Sequence, residues 1–291
     1  MRYTIENEFL RCEVALHGAE VKSLVRKSDG REMMWEGNPE YWNRTSPVLF
    51  PFVGGVRDKE YRFEGQTYSI GQHGFARDKD FTLKSQEIAE IWFGLSDSED
   101  TLAIYPFSFL LEIGYRLEER SLRVMWRVTN LSEKEMHFSI GAHPAFAIPE
   151  LSGKFLQLFD PEGKPLDQFQ NRIFGSGGCV TNRREAVQTP DGYLPLSEQL
   201  FDGDALVLEE RQLGRVDLLD EDKKRLVSVA FEAPLAGIWS PPHKNAPFVC
   251  IEPWYGRCDA EDFSGDLSER DYEQHLAGGK SFRAEYTITI D

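Results

Sequence analysis

The chain has 291 residues, of which 41% are hydrophobic and 28% are charged, as in an ordinary folded globular protein. Its 33 basic and 49 acidic residues give a formal net charge of −16. An acidic surface repels phosphate backbones and anionic lipids, so we expect neither nucleic acid nor a membrane surface as a partner. The charge is compatible with a protein that acts on a neutral small molecule.

The sequence also bears on the cellular compartment. The first ten residues, MRYTIENEFL, lack the apolar run of a signal peptide, and the apolar stretch AIYPFSFLLEIGY is short and interrupted by Pro106. Four cysteines lack CxxC spacing: Cys12, Cys179, Cys250 and Cys258. We therefore expect a cytoplasmic protein with free thiols and no transmembrane helix.

Apolar and polar residues alternate along most of the chain, which predicts β-strands because successive side chains of a strand point to opposite faces. In chain order, the alternating runs are FLRCEVAL, AEVKSLV, EIWFGLSD, FLLEIGYRL, SLRVMWRVTNL, EMHFSIGA, RLVSVAFE, FVCIEPW and FRAEYTITI. The stretches SDGRE, FEGQT and LEERSL have the composition of tight turns. The pattern predicts an all-β protein of mostly antiparallel strands packed as a sandwich, in one domain over residues 1–291.

Signals for helices are few. The stretch NPEYWN is predicted to form one turn, and LSERDYEQHLAGG is predicted to form a short helix with Ser268 as its N-cap. Residues 160–200 are rich in Gly, Pro, Asn and Gln and lack clear alternation, so we expect long loops there.

Four of the six histidines are predicted to have structural or surface roles. His17 follows a strand, His137 lies in the strand EMHFSI, His243 lies in the proline-rich loop SPPHKNAP, and His275 lies in the predicted late helix. An isolated histidine without a second chemical group nearby is more often structural than catalytic.

The other two histidines are candidates for chemistry. His73 lies in GQHGFARD between two glycines, which allow a ligand to approach closely. His143 lies in GAHPAF at the end of a strand, where Pro144 stiffens the exit. Binding sites on β scaffolds are commonly built at strand ends. For each histidine taken alone, a structural role remains an equal alternative.

Glu252, in VCIEPWYG, ends a strongly apolar strand. Burial of such a carboxylate raises its pKa towards that of a working base, unless a charged partner opposes the shift. The alternative is a Glu–Arg pair at a sheet edge. Trp254, two residues later, favours a sugar site, because an aromatic face stacks on the C–H face of a pyranose.

Taken in order, GQHGFARD, GAHPAF and IEPWYG resemble the aldose 1-epimerase (galactose mutarotase-like) family. The upstream stretch YWNRTSPVLFPFVGGV and the later DALVLE extend the resemblance over essentially the whole chain, and APFVCIEPWYG is most similar to the LacX-like branch. The resemblance implies a β-supersandwich fold, no cofactor, no metal, and a small-molecule sugar as the partner. A monomer or a homodimer is compatible with it.

The resemblance also implies roles for individual residues. His143 would be the general acid that protonates the ring oxygen of the sugar, and Glu252 the general base that removes the proton of the anomeric hydroxyl. His73 would hydrogen-bond the substrate near the reacting carbon, and Arg77 would bind sugar hydroxyls. Asp204 matches the family's substrate-binding aspartate through DALVLE, with Asp202 as the alternative.

Arg44, Trp254 and Phe75 complete the predicted binding residues. The implied reaction opens a cyclic hemiacetal, lets the aldehyde rotate, and closes the ring on its other face. It requires an acid and a base together, which we expect on different sides of the ring, facing each other across the pocket. We also expect the charge of Glu252 to favour the protonated form of His143.

Three alternatives remain from the sequence. The first is a non-catalytic sugar-binding or sugar-sensing protein on the same fold, since a fold does not fix a function. The second is a mutarotase for a hexose phosphate, with Arg44, Arg57 and Arg77 as candidates for the phosphate clamp. The third is a cupin-like metal site formed by His73, His143 and Glu252.

Overall fold

The computed structural model describes all 291 residues, and β-strands dominate it. The strands are β1 Arg2–Glu6, β2 Leu10–Ala15, β3 Val21–Arg26, β4 Arg31–Glu32, β5 Val48–Leu49, β6 Glu60–Phe63, β7 Gln66–Ser69, β8 Thr82–Gln86, β9 Glu90–Ser96, β10 Phe109–Glu118, β11 Ser121–Asn130, β12 Met136–Phe138, β13 Ile140–Ala142, β14 Ala145–Ala147, β15 Phe155–Phe159, β16 Gln168–Phe174, β17 Val180–Gln188, β18 Tyr193–Pro195, β19 Leu206–Leu208, β20 Arg215–Leu219, β21 Arg225–Phe231, β22 Leu235–Trp239, β23 Phe248–Tyr255, β24 Gln274–Leu276 and β25 Ser281–Ile290. The all-β prediction is confirmed.

Helices are few and short. The α-helix α1 covers Glu99–Ile104, and six 3₁₀ turns cover Arg57–Lys59, Ala76–Asp78, Ser176–Gly178, Pro190–Gly192, Glu198–Phe201 and Leu267–Glu269. Helix α1 was not predicted from the sequence, although Ser98 and Thr101 form a capping box at its start. No helix has both the length and the apolar character needed to cross a lipid bilayer.

Two large antiparallel sheets form the sandwich. One contains nine strands in the order β18-β15-β20-β21-β25-β11-β10-β9-β8. The other contains eight strands in the order β17-β16-β19-β22-β23-β13-β5, with β14 also paired to β23. Smaller sheets are formed by β1 to β4, by β6 with β7, and by β12 with β24.

The predicted alternation places apolar side chains between the two large sheets. Along β11 every second residue is buried, as predicted for SLRVMWRVTNL. A cluster of 65 buried residues joins inward side chains of both sheets, including Trp126 of β11 and Ile251 of β23. The four cysteines are buried free thiols. The large core gives β23 a rigid position, and β23 carries Glu252.

Two predictions of local structure were wrong. Residues 160–200 are not mainly loops, because β16 and β17 form a hairpin at one edge of the eight-stranded sheet. The predicted late helix is reduced to the 3₁₀ turn Leu267–Glu269, which is capped by Asp266 instead of Ser268. Pairing of β24 with β12 overrides helix propensity beyond that turn.

Other local predictions agree with the structure. The stretch NPEYWN forms one turn, in which the backbone N–H of Trp42 donates to the carbonyl of Asn38 over 3.0 Å. The predicted tight turns join β3 to β4, β6 to β7 and β10 to β11.

Candidate functional site

His143 and Glu252 are neighbours in the eight-stranded sheet. His143 lies between β13 and β14, both of which pair with β23, and the register of these pairs places it opposite Glu252. His143 Nδ1 lies 3.4 Å from Glu252 Oε1, and the two residues are 7% and 1% exposed. The two groups therefore do not face each other across a pocket, as the sequence analysis expected, but lie side by side in one wall.

Trp254 holds the other carboxylate oxygen of Glu252. Its indole Nε1 donates to Glu252 Oε2 over 3.3 Å. The ring is buried against Gly141 and Gly237, where a Cβ atom would lie 2.7 Å and 2.3 Å from the indole carbons. The sequence predicted that this ring stacks on a sugar, but its burial makes it mainly a hydrogen-bond donor that orients Glu252.

His73 is oriented by the backbone of Gly54. The backbone N–H of His73 donates to the Gly54 carbonyl over 2.7 Å, and the Gly54 N–H donates to His73 Nδ1 over 3.0 Å. Because Nδ1 accepts this hydrogen bond, the neutral ring carries its proton on Nε2. The imidazole rings of His73 and His143 lie 5.8 Å apart at an angle of 81°.

Two arginines add positive charge to the same wall. Arg44 Nη2 donates to Asp78 Oδ1 over 2.6 Å, and Arg77 Nη2 donates to the carbonyl of Gln72 over 2.9 Å. Arg77 Nε is buried without a hydrogen-bond partner. Burial and the neighbouring Arg44 lower the pKa of Arg77 to about 10, which leaves it charged at neutral pH. Arg77 therefore has hydrogen-bonding capacity to spare for a ligand.

The structure distinguishes the two candidate aspartates and corrects one aromatic prediction. Asp204 lines the cavity beside Glu252, whereas Asp202 does not and lies 3.2 Å from Nδ1 of the exposed His243. Phe75 was predicted to bind substrate, but its ring packs in the main core against Phe50. That prediction was wrong because Phe75 points away from the turn that presents His73.

These side chains surround a cavity of about 530 Å³. Pockets for small molecules commonly have volumes of roughly 300–1,000 Å³. The lining residues are Trp42, Asn43, Arg44, Val53, Gly54, Gln72, His73, Arg77, His143, Phe174, Gly178, Asp204, Ala205, Val207, Trp239, Pro242, Glu252, Trp254, Arg257 and Cys258. All the predicted site residues except Phe75 belong to this set.

The sequence analysis missed two tryptophans that hold the ring of His143. Trp42 stacks on it with centroids 4.6 Å apart, and Trp239 meets it edge-on at 5.3 Å. The partly exposed indole rings of Trp42 and Trp239 also provide the cavity's aromatic walls. Trp42 belongs to the stretch YWNRTSPVLFPFVGGV, which offered a signal for it, whereas Trp239 is brought into place only by β22.

The buried Arg257 also lines the cavity and was not predicted. Its Nε donates to Glu209 over 2.6 Å, and its Nη2 donates to Asp271 over 2.5 Å. These acidic partners occupy its donors, so Arg257 mainly supports the cavity wall.

Burial dominates the electrostatics of the site. Burial, with Arg77 and Arg44 nearby, lowers the pKa of His143 to about 3. Burial raises the pKa of Glu252 well above its usual range, against the opposing effect of the hydrogen bond from Trp254. Burial and the charges of His143, Arg77 and Arg44 also lower the pKa of His73 well below its usual range.

The expected stabilisation of a charged His143 is therefore outweighed by burial. A desolvated imidazole–carboxyl pair that carries one proton and no net charge avoids the penalty of burying two ions. Such a pair can give a proton at one position and accept one at another.

The alternative metal set of His73, His143 and Glu252 lines one cavity, but its three ligand atoms do not converge to within 4.8 Å of one another. The group that meets instead is His143, Cys250 and Glu252, whose ligand atoms lie within 4.8 Å of one another. Burial and the neighbouring Glu252 raise the pKa of the Cys250 thiol well above its usual range. Within this group, the contact between His143 and Glu252 is suited to proton transfer.

A larger and more open groove, of about 800 Å³, lies on the nine-stranded sheet. Its lining includes Trp92, Arg127 and Glu285 but none of the predicted site residues. The smaller cavity is the better candidate because it gathers the buried titratable groups with shifted pKa values.

Comparisons with known proteins show the family of the chain. A family model described as "Aldose 1-epimerase" matches residues 1–289. A galactose mutarotase related enzyme from Lactobacillus acidophilus is 36% identical, with a TM-score of 0.94 and coverage of 100% of this chain and 97% of that one. A galactose mutarotase-like protein from Lactobacillus casei is 29% identical, with a TM-score of 0.91 and full coverage of both chains. The chromosomal protein LacX of Lactococcus lactis is 29% identical over 299 residues, covering 100% of this chain and 99% of LacX.

Proposed function

Because the chain belongs to the aldose 1-epimerase family, we propose that it interconverts the α and β anomers of a hexose by acid–base opening and closing of the sugar ring. The observation that carries the proposal is the His143–Glu252 pair, with 3.4 Å between Nδ1 and Oε1, in the wall of a cavity of about 530 Å³.

The side-by-side arrangement suits the chemistry of the anomeric carbon. The anomeric oxygen and the ring oxygen are bonded to the same carbon, so the acid and base that serve them must also be close together. The reacting form of the pair has its one proton on His143, received from Glu252 across the 3.4 Å contact. During ring opening, the Glu252 carboxylate takes the proton of the anomeric hydroxyl while His143 protonates the ring oxygen, and the C1–O bond of the ring breaks. After rotation about C1–C2, the same steps run in reverse on the other face of the aldehyde.

The remaining residues bind and orient the sugar. The Nε2–H of His73 is free to donate a hydrogen bond to an oxygen near the reacting carbon, where negative charge develops. Asp204 and Arg77 supply an acceptor and donors for sugar hydroxyls. Trp42 and Trp239 offer aromatic surface for the C–H face of a pyranose.

The test measures the rate of anomeric exchange, by polarimetry or proton NMR, in freshly dissolved α-glucose and α-galactose. The buffer must be dilute, because spontaneous mutarotation is itself acid–base catalysed. The resemblance to a galactose mutarotase related enzyme supports including galactose. Saturable acceleration with either sugar supports the proposal. Binding of sugars without acceleration across a panel of aldoses would instead favour a non-catalytic sugar-binding protein.

A second candidate substrate is a hexose phosphate, which one observation favours. Arg44 and Arg77 line the same cavity, and both carry a guanidinium group that can bind a phosphate. Arg57, the third predicted clamp residue, lies outside the cavity, where its backbone N–H donates to Asp259 over 2.9 Å. Comparing kcat/KM for glucose and glucose 6-phosphate distinguishes the two candidate substrates. A strong preference for the phosphate would show that the substrate is a hexose phosphate and not a neutral hexose.

A further inference from the structure

A second group of titratable side chains lies outside the cavity, on the two-stranded sheet of β12 and β24. In this antiparallel pair, His137 and His275 are direct cross-strand partners. Their imidazole rings lie 4.8 Å apart at an angle of 82°. Glu135 precedes β12 and extends its carboxylate towards both rings.

The potential ligand atoms of these three residues converge. Glu135 Oε2 lies 3.6 Å from His275 Nδ1 and 4.0 Å from His137 Nε2. One ligand atom from each residue falls within 4.8 Å of the other two. Two imidazole nitrogens and a carboxylate oxygen are the ligands that Zn²⁺ commonly takes from proteins.

The three residues differ in how firmly they are held. His137 is buried, and its ring meets those of Phe63 and Phe107 at centroid distances of 5.7 Å and 6.1 Å. The side chains of Glu135 and His275 are 53% and 45% exposed. His137 is therefore fixed by packing. Glu135 and His275 can change their side-chain conformations, and their exposure lets an ion reach the site from solvent.

His137 also lacks a polar partner. Its Nδ1 is buried without a hydrogen bond. Its backbone carbonyl accepts a hydrogen bond from the Tyr105 hydroxyl over 2.8 Å, which holds the main chain but leaves the ring unsatisfied. The Nε2 of the same ring, 4.0 Å from Glu135 Oε2, makes no hydrogen bond within the protein either, so it is free to bind an ion.

We propose that Glu135, His137 and His275 form a binding site for a divalent transition-metal ion, with Zn²⁺ as the best match. Tetrahedral Zn²⁺ with bonds of about 2.0–2.2 Å places its ligands about 3.3 Å apart. The separations of 3.6 Å and 4.0 Å, and a third of up to 4.8 Å, are wider than this, so the exposed Glu135 and His275 side chains must rotate to close the site. Solvent would complete the fourth position.

The position of the site indicates a structural role for the ion. It would cross-link β12 to β24, joining two segments that are distant in the sequence. Because binding to the folded state alone stabilises a protein, Zn²⁺ should raise the melting temperature without being required for turnover.

The test is Zn²⁺ binding to tag-free, chelator-treated protein by calorimetry, with metal content measured after dialysis. We expect one Zn²⁺ per chain, a higher melting temperature, and a loss of affinity in His275→Ala and Glu135→Gln at least as large as the roughly 10–100-fold that loss of an outer-shell partner costs. His243→Ala is the matched control, because His243 is also exposed and beside a carboxylate, Asp202, yet belongs to no ligand group of three. It should bind Zn²⁺ like the wild type.

Co²⁺ substitution identifies the ligands independently of the variants. The proposed site contains only nitrogen and oxygen donors, so bound Co²⁺ should show no thiolate-to-metal charge-transfer band. Such a band would place the ion beside one of the four free cysteines and overturn the proposal. Failure of the wild type to bind Zn²⁺, or unchanged binding in both ligand variants, would also overturn it.

Discussion

His143 lies directly opposite Glu252 across the ladder that joins β13 and β14 to β23, with 3.4 Å between Nδ1 and Oε1. The pairing is a matter of strand register. A slip of one residue in β23 would turn Glu252 to the other face of the sheet. The rigid pairing of β23 with β22 on its other side fixes that register, so the sheet itself sets the geometry of the acid–base pair.

Replacing Glu252 by Gln removes the base while keeping the shape of a side chain that is 1% exposed. We expect kcat to fall by about 10²–10⁴-fold, because acid–base groups typically contribute that much, while sugar affinity changes little. Anomeric exchange by NMR gives the rate, and calorimetry gives the affinity. The exposed Glu8→Gln serves as a control for removing one negative charge. Turnover at the wild-type rate in Glu252→Gln would refute the role of Glu252 as base.

The pH profile of kcat/KM should reflect the pKa shifts of the pair. Catalysis requires the pair to carry one proton. An unperturbed pair would lose its base near pH ~4.3, as the carboxylate takes up a second proton. In this site the second proton must charge His143, whose pKa is lowered to about 3. We therefore expect activity to persist at pH 4, provided that circular dichroism shows a folded protein. If kcat/KM of the folded protein already falls at pH 4.3 or above, this expectation is contradicted.

The loss of activity at high pH, the alkaline limb of the same profile, tests the hydrogen bond from Trp254 to Glu252. Its hydrogen bond favours the charged form of Glu252 and so lowers the raised pKa of that carboxyl. In Trp254→Phe the donor is lost and the pKa of Glu252 should rise further, so the alkaline limb should move to higher pH. Trp239→Phe removes an indole that contacts His143 but makes no hydrogen bond to Glu252, and it should leave that limb in place. A raised KM with an unmoved limb would instead support stacking of Trp254 on the sugar.

The sequence predicted those features that depend on local pattern. The alternation in SLRVMWRVTNL was enough to predict β11, and the motifs around His73, His143 and Glu252 predicted residues that line one cavity. Features set by tertiary pairing were not predictable. Trp239 reaches His143 only through the position of β22, and β24 is a strand because β12 pairs with it. Phe75 was misassigned because two neighbours in a turn, His73 and Phe75, point to opposite sides.

Asp204 and Asp202 form a natural matched pair of variants. Asp204 lines the cavity and has a φ of 80°, a left-handed conformation that Asn adopts readily. Asp204→Asn should raise KM by about 10-fold, since a hydrogen bond to a charged acceptor is replaced by a weaker one. Asp202→Asn should leave KM unchanged, because Asp202 faces His243 outside the cavity. Steady-state kinetics on the best aldose check both, and the reverse pattern would reassign the binding aspartate.

Gly237→Ala tests whether Trp254 is held in place by the glycine beneath it. The new Cβ would lie 2.3 Å from Trp254 Cζ2, while the backbone of Gly237 is outside the left-handed region and tolerates Ala. We expect a loss of about 1–3 kcal/mol in the free energy of unfolding, as for other overpacked sites. A lower kcat should accompany it, because the displaced indole no longer orients Glu252.

A double-mutant cycle with Trp254→Leu isolates this contact. The smaller Leu leaves room for the Cβ, so Gly237→Ala should be much less destabilising in the Trp254→Leu background than in the wild type. Denaturant unfolding of the four proteins measures the coupling. If the losses in the free energy of unfolding are additive, the effect of Gly237→Ala does not come from its contact with Trp254. In that case Gly237 is not required to hold Trp254 beside Glu252.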